Sequence, residues 1–267
     1  MHDFRGQVAV VTGASEGIGR ALSLALARQG ARLVLASRNA GRLGELAAEC
    51  VALGAEALAV PTDVAEQAQC GALVEAALHR FGTIDLLVAN AGATMWSRLD
   101  ELADVGVLER LVRVNYLGAA WLAWHALPAL KASRGRIVAV SSLAGLTGVP
   151  TRTGYAASKH AMFGFFDSLR IELAGSGVSV TVVAPDFVLS EIHRRAAGPD
   201  GKPLGESPMQ ESRIMTAEEC AGIVLGAAAR RQRLALTSAR GRLVRWAGLL
   251  APGLLDRLAA RAIRERR

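Results

Sequence analysis

What most restricts the fold open to this chain is an alternation of short, unbroken apolar runs with longer stretches of helical periodicity. The runs Gln7–Thr12, Arg32–Ser37, Ala57–Val60, Ile84–Ala89, Arg136–Ser141 and Val178–Ala184 read as strands. Helical patterns begin at about Gly17 and continue near Arg42–Leu53, Ala65–Phe81, Val105–Leu130 and Gly154–Leu173. Strand and helix in turn make βαβ units, and these build a parallel sheet. The strands are apolar on both faces, as expected when helices cover each side of the sheet. The expected fold is therefore α/β, a doubly wound parallel sheet of Rossmann type.

A length of 267 residues suits one such domain, and 51% hydrophobic residues with 21% charged excludes a disordered chain. Aromatic residues make up only 4%, so Leu, Val and Ala must fill the core. Cys50, Cys70 and Cys220 never fall in CxxC spacing, and no signal peptide precedes Val8–Val11, so a reducing, cytoplasmic setting is expected. No apolar run reaches the roughly 18 residues of a membrane span. Among the histidines none makes a metal-ligand spacing, and no metal is expected. The rhythm breaks at Ser190–Met215, where glycines and prolines interrupt a polar stretch long enough to be a functional lid. Thr216-x-x-Glu219 then supplies a capping box for a helix to about Arg231. The domain is expected to span 1–236, with 237–267 as an extension.

The first strand ends in Thr12-Gly13-Ala14-Ser15-Glu16-Gly17-Ile18-Gly19, directly before a helix. Glycines let backbone approach a ligand's phosphates, and the helix N-terminus offers free N–H groups and the positive end of its dipole. Gly13, Ser15, Glu16, Gly17, Ile18 and Gly19 are thus candidate cofactor contacts. The same residues match the GxSxG nucleophile elbow, which would make Ser15 a hydrolase nucleophile. A hydrolase of that kind needs earlier strands, and only a dozen residues precede Gly13.

Tyr155-Ala156-Ala157-Ser158-Lys159 places a phenol and an ammonium one helical turn apart. A nearby cation favours phenolate, so Lys159 is expected to bring Tyr155 into range for acid–base work. Ser142 follows a parallel strand at the sheet's carboxyl edge, where its hydroxyl can meet a carbonyl oxygen.

Taken together, Gly13-x3-Gly17-x-Gly19, Asn90-Ala91-Gly92, Asn115, Ser142 and Tyr155-x3-Lys159 resemble the short-chain dehydrogenase/reductases in order and spacing. The stretch from Leu127 to Leu173 is most similar to the branch containing the 11β-hydroxysteroid dehydrogenases and related lipid-active reductases. The resemblance implies about seven strands and a catalytic set of Asn115, Ser142, Tyr155 and Lys159. In that set Tyr155 exchanges a proton with the substrate oxygen, Ser142 holds that oxygen, Lys159 also grips the nicotinamide ribose, and Asn115 anchors a water leading to the lysine. It implies further cofactor contacts at Asp63 and Val64 for the adenine and at Asn90, Ala91 and Gly92. Pro185, Val188 and Ser190 would meet the nicotinamide. Here the chain departs from the family, with Asp186 where a glycine is usual and Ser190 where a threonine is usual. The implied activity interconverts a secondary alcohol and a ketone on a hydrophobic, steroid- or lipid-like substrate, in a homodimer or homotetramer. A non-catalytic NADP-binding sensor on the same fold is the alternative.

For cofactor choice, enzymes of this fold that use NAD place a carboxylate at the end of the second strand, and this chain has Ser37-Arg38 there. A guanidinium suits the 2′-phosphate, so NADP(H) is expected over NAD(H), although Glu16 in the glycine loop pulls the other way.

The net charge of +7 is a property of the tail: residues 228–267 carry 11 arginines against Asp256 and Glu265. Two short amphipathic helices separated by Pro252 are expected after Thr237. Leu243, Trp246 and Leu250 form one stripe, and Leu254, Leu255, Leu258, Ala262 and Ile263 form another beside Arg257, Arg261 and Arg264. Such a tail packs in an oligomer or lies peripherally on anionic membrane. With one tryptophan and no nucleic-acid fold behind it, nucleic-acid binding is not expected.

Overall fold

The computed structural model describes residues 4–207 and 214–264. The lid positions 208–213 and Glu265 lie outside them, as do the side chains of Ala262, Ile263 and Arg264. The sheet is parallel throughout, with seven strands in the order β3-β2-β1-β4-β5-β6-β7. They are β1 (Val8–Thr12), β2 (Arg32–Ser37), β3 (Glu56–Pro61), β4 (Leu86–Ala89), β5 (Arg136–Val140), β6 (Ser179–Ala184) and β7 (Leu234–Leu236). Val8 pairs with Arg32 on one side of β1 and Ala9 with Leu86 on the other, so the winding reverses beside β1. That reversal opens a crevice at the carboxyl ends of the strands.

Side chains alternate across the sheet, and each set meets its own helix layer. Ala9, Val11, Leu33 and Leu35 are buried under α1 (Gly17–Ala27), α2 (Ala40–Ala52) and α7 (Ala217–Ala229). Val10, Val34, Leu87 and Ile137 are buried under α3 (Gln67–Phe81), α5 (Gly118–Ser133) and α6 (Thr153–Glu172). The capping box of α7 forms: Thr216 Oγ1 accepts from the Glu219 amide at 3.1 Å, and Glu219 Oε2 accepts from the Thr216 amide at 3.0 Å.

Two elements differ from the sequence expectation. The helix expected over Val105–Leu130 is not uniform: α4 (Gly106–Val112) passes through a π turn at Arg113–Leu117 into α5. Strand β7 is three residues long, too short for its pattern to stand out from the flanking helix signals. The described part of the segment expected to be a lid is tied down, since the Ala197 amide donates to Thr94 O at 3.0 Å and its carbonyl accepts from the Trp96 amide at 2.8 Å.

The extension forms α8 (Ala239–Leu250) and α9 (Pro252–Arg264), broken as expected before Pro252. Its anchor is Asp186, which stands where the family that the sequence resembles usually has a glycine. The Asp186 carboxylate accepts from Ser238 Oγ at 2.8 Å and from Arg240 Nε at 2.9 Å, with a second, short contact to the same guanidinium, and the Asp186 amide donates to Thr237 Oγ1 at 3.0 Å. Gly241 lies against Leu143, so close that an added Cβ would sit 2.8 Å from Leu143 Cδ2. The aspartate therefore fastens the tail beside the loop that carries Ser142. Replacing it with the family residue, Asp186→Gly, is expected to raise the locally open fraction of the tail about tenfold and leave the sheet intact. Limited trypsin digestion at Arg240, Arg242 and Arg245 measures this, and an unchanged cleavage rate would assign the anchoring elsewhere.

Candidate active site

The crevice is a cavity of about 1520 Å³ running from the glycine loop to the tail. Two of its glycines are required by geometry. Gly13 has φ +63°, and a Cβ there would lie 2.9 Å from Ala91 Cα. A Cβ on Gly19 would lie 2.1 Å from Gly13 O, so α1 meets its own loop only because no side chain intervenes. Beneath them Thr12 Oγ1 accepts from the amides of Asn90 and Ala91 at 3.1 and 3.2 Å, and Asn90 Nδ2 donates to Thr12 O at 2.9 Å. These bonds bring Asn90, Ala91 and Gly92 to the same edge. Ser15, Glu16, Gly17 and Ile18 line the cavity around the start of α1.

At the far end stand Ser37 and Arg38 after β2, with Asp63 and Val64 after β3. Asp63 Oδ1 accepts from the Ala65 amide at 3.0 Å, which shapes the turn into α3. Glu16 is engaged by two cations: Arg42 at 3.2 Å and Arg195, from the lid, at 2.7 Å. Pro185 and Val188 line the middle, and Ser190 Cβ sits 3.0 Å from where a Gly17 Cβ would be.

Ser142, Tyr155 and Lys159 share the opposite end. Asn115 stands behind them at the π turn, where Oδ1 accepts from the Ala93 amide at 2.8 Å while Nδ2 donates to Ala93 O at 2.9 Å and to Ser158 Oγ at 2.8 Å. Ser158 Oγ in turn donates to the Tyr155 carbonyl at 2.8 Å, so the asparagine braces the helix turn that carries the phenol. Lys159 Nζ donates to Val140 O at 2.9 Å. All the candidate residues line the cavity except Gly19 and Asn115, which act from behind it.

The electrostatics of this end follow from burial. Burial pushes the Tyr155 phenol up from its ordinary value, and the influences that oppose it are the hydrogen bond with Ser142 and the charge of Arg152. Lys159, expected to be the cation that lowers the phenol, is itself pushed down to about 7 by burial, and its Nζ lies 5.9 Å from the Tyr155 ring centroid. Sequence reasoning also missed Trp96, Arg152 and Phe187, which line the reaction end, and Val244, Leu255 and Ala259 of the tail, which complete its wall. No local pattern marks these residues, because the lid and the tail reach them only through folding.

Residues 7–199 match the family model for short chain dehydrogenases. The chain belongs to the short-chain dehydrogenase family. Over 95% of its length it is 34% identical to an 11-beta-hydroxysteroid dehydrogenase A of Sesamum indicum, covering 74% of that protein. It is 33% identical to dehydrogenase/reductase SDR family member 7B of Mus musculus, covering 98% of this chain and 83% of that one. These relatives lie in the branch that the sequence resembles. Among solved structures, a short-chain dehydrogenase from Burkholderia phymatum in complex with NAD superposes with a TM-score of 0.82 at 32% identity, covering 92% and 94% of the two chains. An alcohol dehydrogenase from Thermococcus sibiricus complexed with 5-hydroxy-NADP gives 0.74 at 29% identity, covering 87% and 95%. This short-chain dehydrogenase is thus an oxidoreductase that acts on CH–OH groups with a nicotinamide cofactor, and the hydrolase reading of Ser15 falls away.

The buried lysine has a consequence for stability. Its folded value of about 7 lies below the ordinary 10.5, so between the two the unfolded chain binds the extra proton and stability rises with pH. Between pH ~7 and ~8.5, without added cofactor, the wild type is expected to gain about 1–2 kcal/mol relative to Lys159→Met. Thermal unfolding across that range checks it; parallel pH responses in the two proteins would contradict the burial of a titrating amine.

Proposed function

We propose that this short-chain dehydrogenase interconverts a secondary alcohol and a ketone with NADP(H), on a hydrophobic, steroid- or lipid-like small molecule. The observation that carries this reading is the buried Tyr155 phenol, hydrogen-bonded to Ser142 and one turn from Lys159, at the end of the cavity that begins at the glycine loop. Bound in that cavity, the nicotinamide cofactor accepts or supplies a hydride. Gly13, Ser15, Gly17 and Ile18 would meet its phosphates, Asp63 and Val64 its adenine, Asn90 to Gly92 and Lys159 its riboses, and Pro185, Val188 and Ser190 its carboxamide. The glycine loop fits the group, since Gly13 and Gly17, both at positive φ, line the cavity with Ser15 and Ile18 where α1 begins and its first amides are free.

Ser142 would hold the substrate oxygen. In oxidation the Tyr155 phenolate takes the hydroxyl proton as hydride leaves the carbinol carbon, and in reduction the phenol returns it to the carbonyl oxygen. The complete set argues against a non-catalytic sensor, for which a paired Tyr155 and Lys159 would have no use.

NADP(H) is favoured by the charges around β2. Glu16 would repel a 2′-phosphate on its own, but Arg42 and Arg195 pair with it, and exposed Arg38, with no carboxylate paired to it among the described residues, lines the same cavity. Val149, Ile192, Val244 and Leu255 around the reaction end suit an apolar substrate. Residues 1–236 form the catalytic domain in this reading, and exposed Trp124 on α5 and Ile171 on α6 suit helix packing in a dimer or tetramer.

The extension would rest on anionic lipid. Val244, Leu255 and Ala259 face the cavity, whereas Leu243, Trp246, Leu250, Leu254 and Leu258 are exposed among the exposed Arg242, Arg245, Arg257 and Arg261. Among the described residues no helix is long and apolar enough to cross a membrane, so the contact is peripheral.

A coupled assay of alcohols and ketones with both cofactors tests the chemistry. Tyr155→Phe is expected to lower turnover by about 10²–10⁴ with NADPH binding retained, and near-normal turnover would overturn the mechanism. Arg38→Ala is expected to weaken NADPH at least tenfold more than NADH, about 1.4 kcal/mol for one charge-assisted contact; equal effects would remove the cofactor assignment. In sedimentation with vesicles, the full chain should pellet with anionic lipid and release in salt, and a chain ending at Leu236 should not pellet. Identical behaviour of the two would return the tail to packing between subunits.

A further inference from the structure

We infer that Arg152 is a positioning residue for proton transfer, the permanent positive charge that favours the Tyr155 phenolate from within an aromatic cage. The inference rests on Tyr155 as the proton-transfer group and adds a residue outside the family's catalytic set. Arg152 precedes Tyr155 by three residues at the start of α6, one helical turn, which brings its guanidinium to the ring's side. Its carbon lies 5.8 Å from the Tyr155 ring centroid, 4.2 Å from that of Trp96 and 5.6 Å from that of Phe187. The residue is only 6% exposed. Aromatic faces attract a cation, and the attraction is stronger where water is excluded.

The backbone just before it is held in an unusual state. Thr151 has φ +66°, a left-handed conformation that a β-branched residue rarely adopts, and its carbonyl accepts from the Ser97 amide at 2.9 Å. Ser97 follows Trp96, so the contact that stabilises the turn also presents the nearest ring of the cage. Position, burial and local strain converge on one guanidinium.

Why an arginine is suited to this place follows from Lys159. Both cations stand at similar distances from the phenol, 5.8 and 5.9 Å from its ring centroid. Burial brings the lysine to about 7, whereas a guanidinium stays charged throughout the working range of pH. Arg152 thus supplies a field that does not fade as Lys159 loses its proton. Among the described residues, the other charged or titratable groups lining the cavity around the cage are Asp186, engaged by Arg240 of α8, whose guanidinium is 5.3 Å from the Phe187 ring centroid; Arg98, paired with Glu101 after Trp96; and His193, whose ring is 6.1 Å from that of Phe187. From α4 and the loop after β4, Tyr155 meets the apolar side chains of Val107, Leu111 and Met95.

The test reads Tyr155 directly. Ultraviolet absorbance titration of the phenolate, taken as the difference from Tyr155→Phe to subtract Tyr116, needs no substrate. In Arg152→Met, an apolar chain that fits between the rings, this titration and the acidic limb of kcat for alcohol oxidation are both expected to move up by about one pH unit. Arg152→Lys puts an amine in the same buried place, where it loses its proton well below the phenol's titration, so it is expected to shift the phenolate titration as Arg152→Met does, and the KM for NADP(H) should hold in both variants. A merely structural role would lower kcat with the pH profile in place. An unmoved phenolate titration in folded Arg152→Met, or in Arg152→Gln if that variant is the better folded, overturns the inference. Failure of the proposed function would show differently, as a wild-type protein that turns over no alcohol or ketone.

Discussion

The contact on which the rest of the structure depends is the close approach of α1 to the end of β1. Gly19 reaches within a Cβ's breadth of the Gly13 carbonyl, and below it the Thr12 hydroxyl accepts from the two amides that follow β4, those of Asn90 and Ala91. A side chain in that gap would push the helix away from the sheet. With the gap closed, the winding reverses beside β1, and the loops after β1, β4, β5 and β6 open into one cavity. Cofactor and substrate are then neighbours by topology, since both must enter at the carboxyl edge.

At the reaction end the dominant physical effect is desolvation. It raises the phenol and lowers the amine, so each group is moved toward its neutral form. Chemistry that passes a proton through Tyr155 would need that cost offset, and the influences that oppose it at the phenol are the hydrogen bond with Ser142 and the charge of Arg152. A second carboxylate tunes shape instead of charge. Asp186 turns its oxygens to Ser238 and Arg240, and the tail it fixes becomes a wall of the cavity. The inner face of the tail is thereby committed to the cavity, leaving only its outer face for lipid or for another subunit.

How much of this was legible depended on the range of the interaction that decides each element. Strands β1 to β6 and the main helices could be read because period and apolar runs are written locally, and the Thr216 capping box because its partners are three residues apart. The π turn could not, since it accompanies bonds that Asn115 makes to Ala93 and Ser158, residues 22 and 43 positions away. Glu16 looked like an obstacle to NADP because Arg195, which neutralises it, is 179 residues distant. Asp186 registered as a departure from a pattern, but its purpose lies in residues 237–240, which no local signal connects to it.

By itself, then, the sequence determined the parallel α/β sheet, the phosphate-ready loop at Gly13–Gly19 and the pairing of Tyr155 with Lys159, because backbone conformation and helical spacing act between near neighbours. Only the tertiary structure decided how deeply the phenol and the amine are buried, how the charge of Glu16 is paired and what the tail encloses. Those outcomes turn on desolvation and on contacts between distant segments, and burial comes into being only when the whole chain has packed.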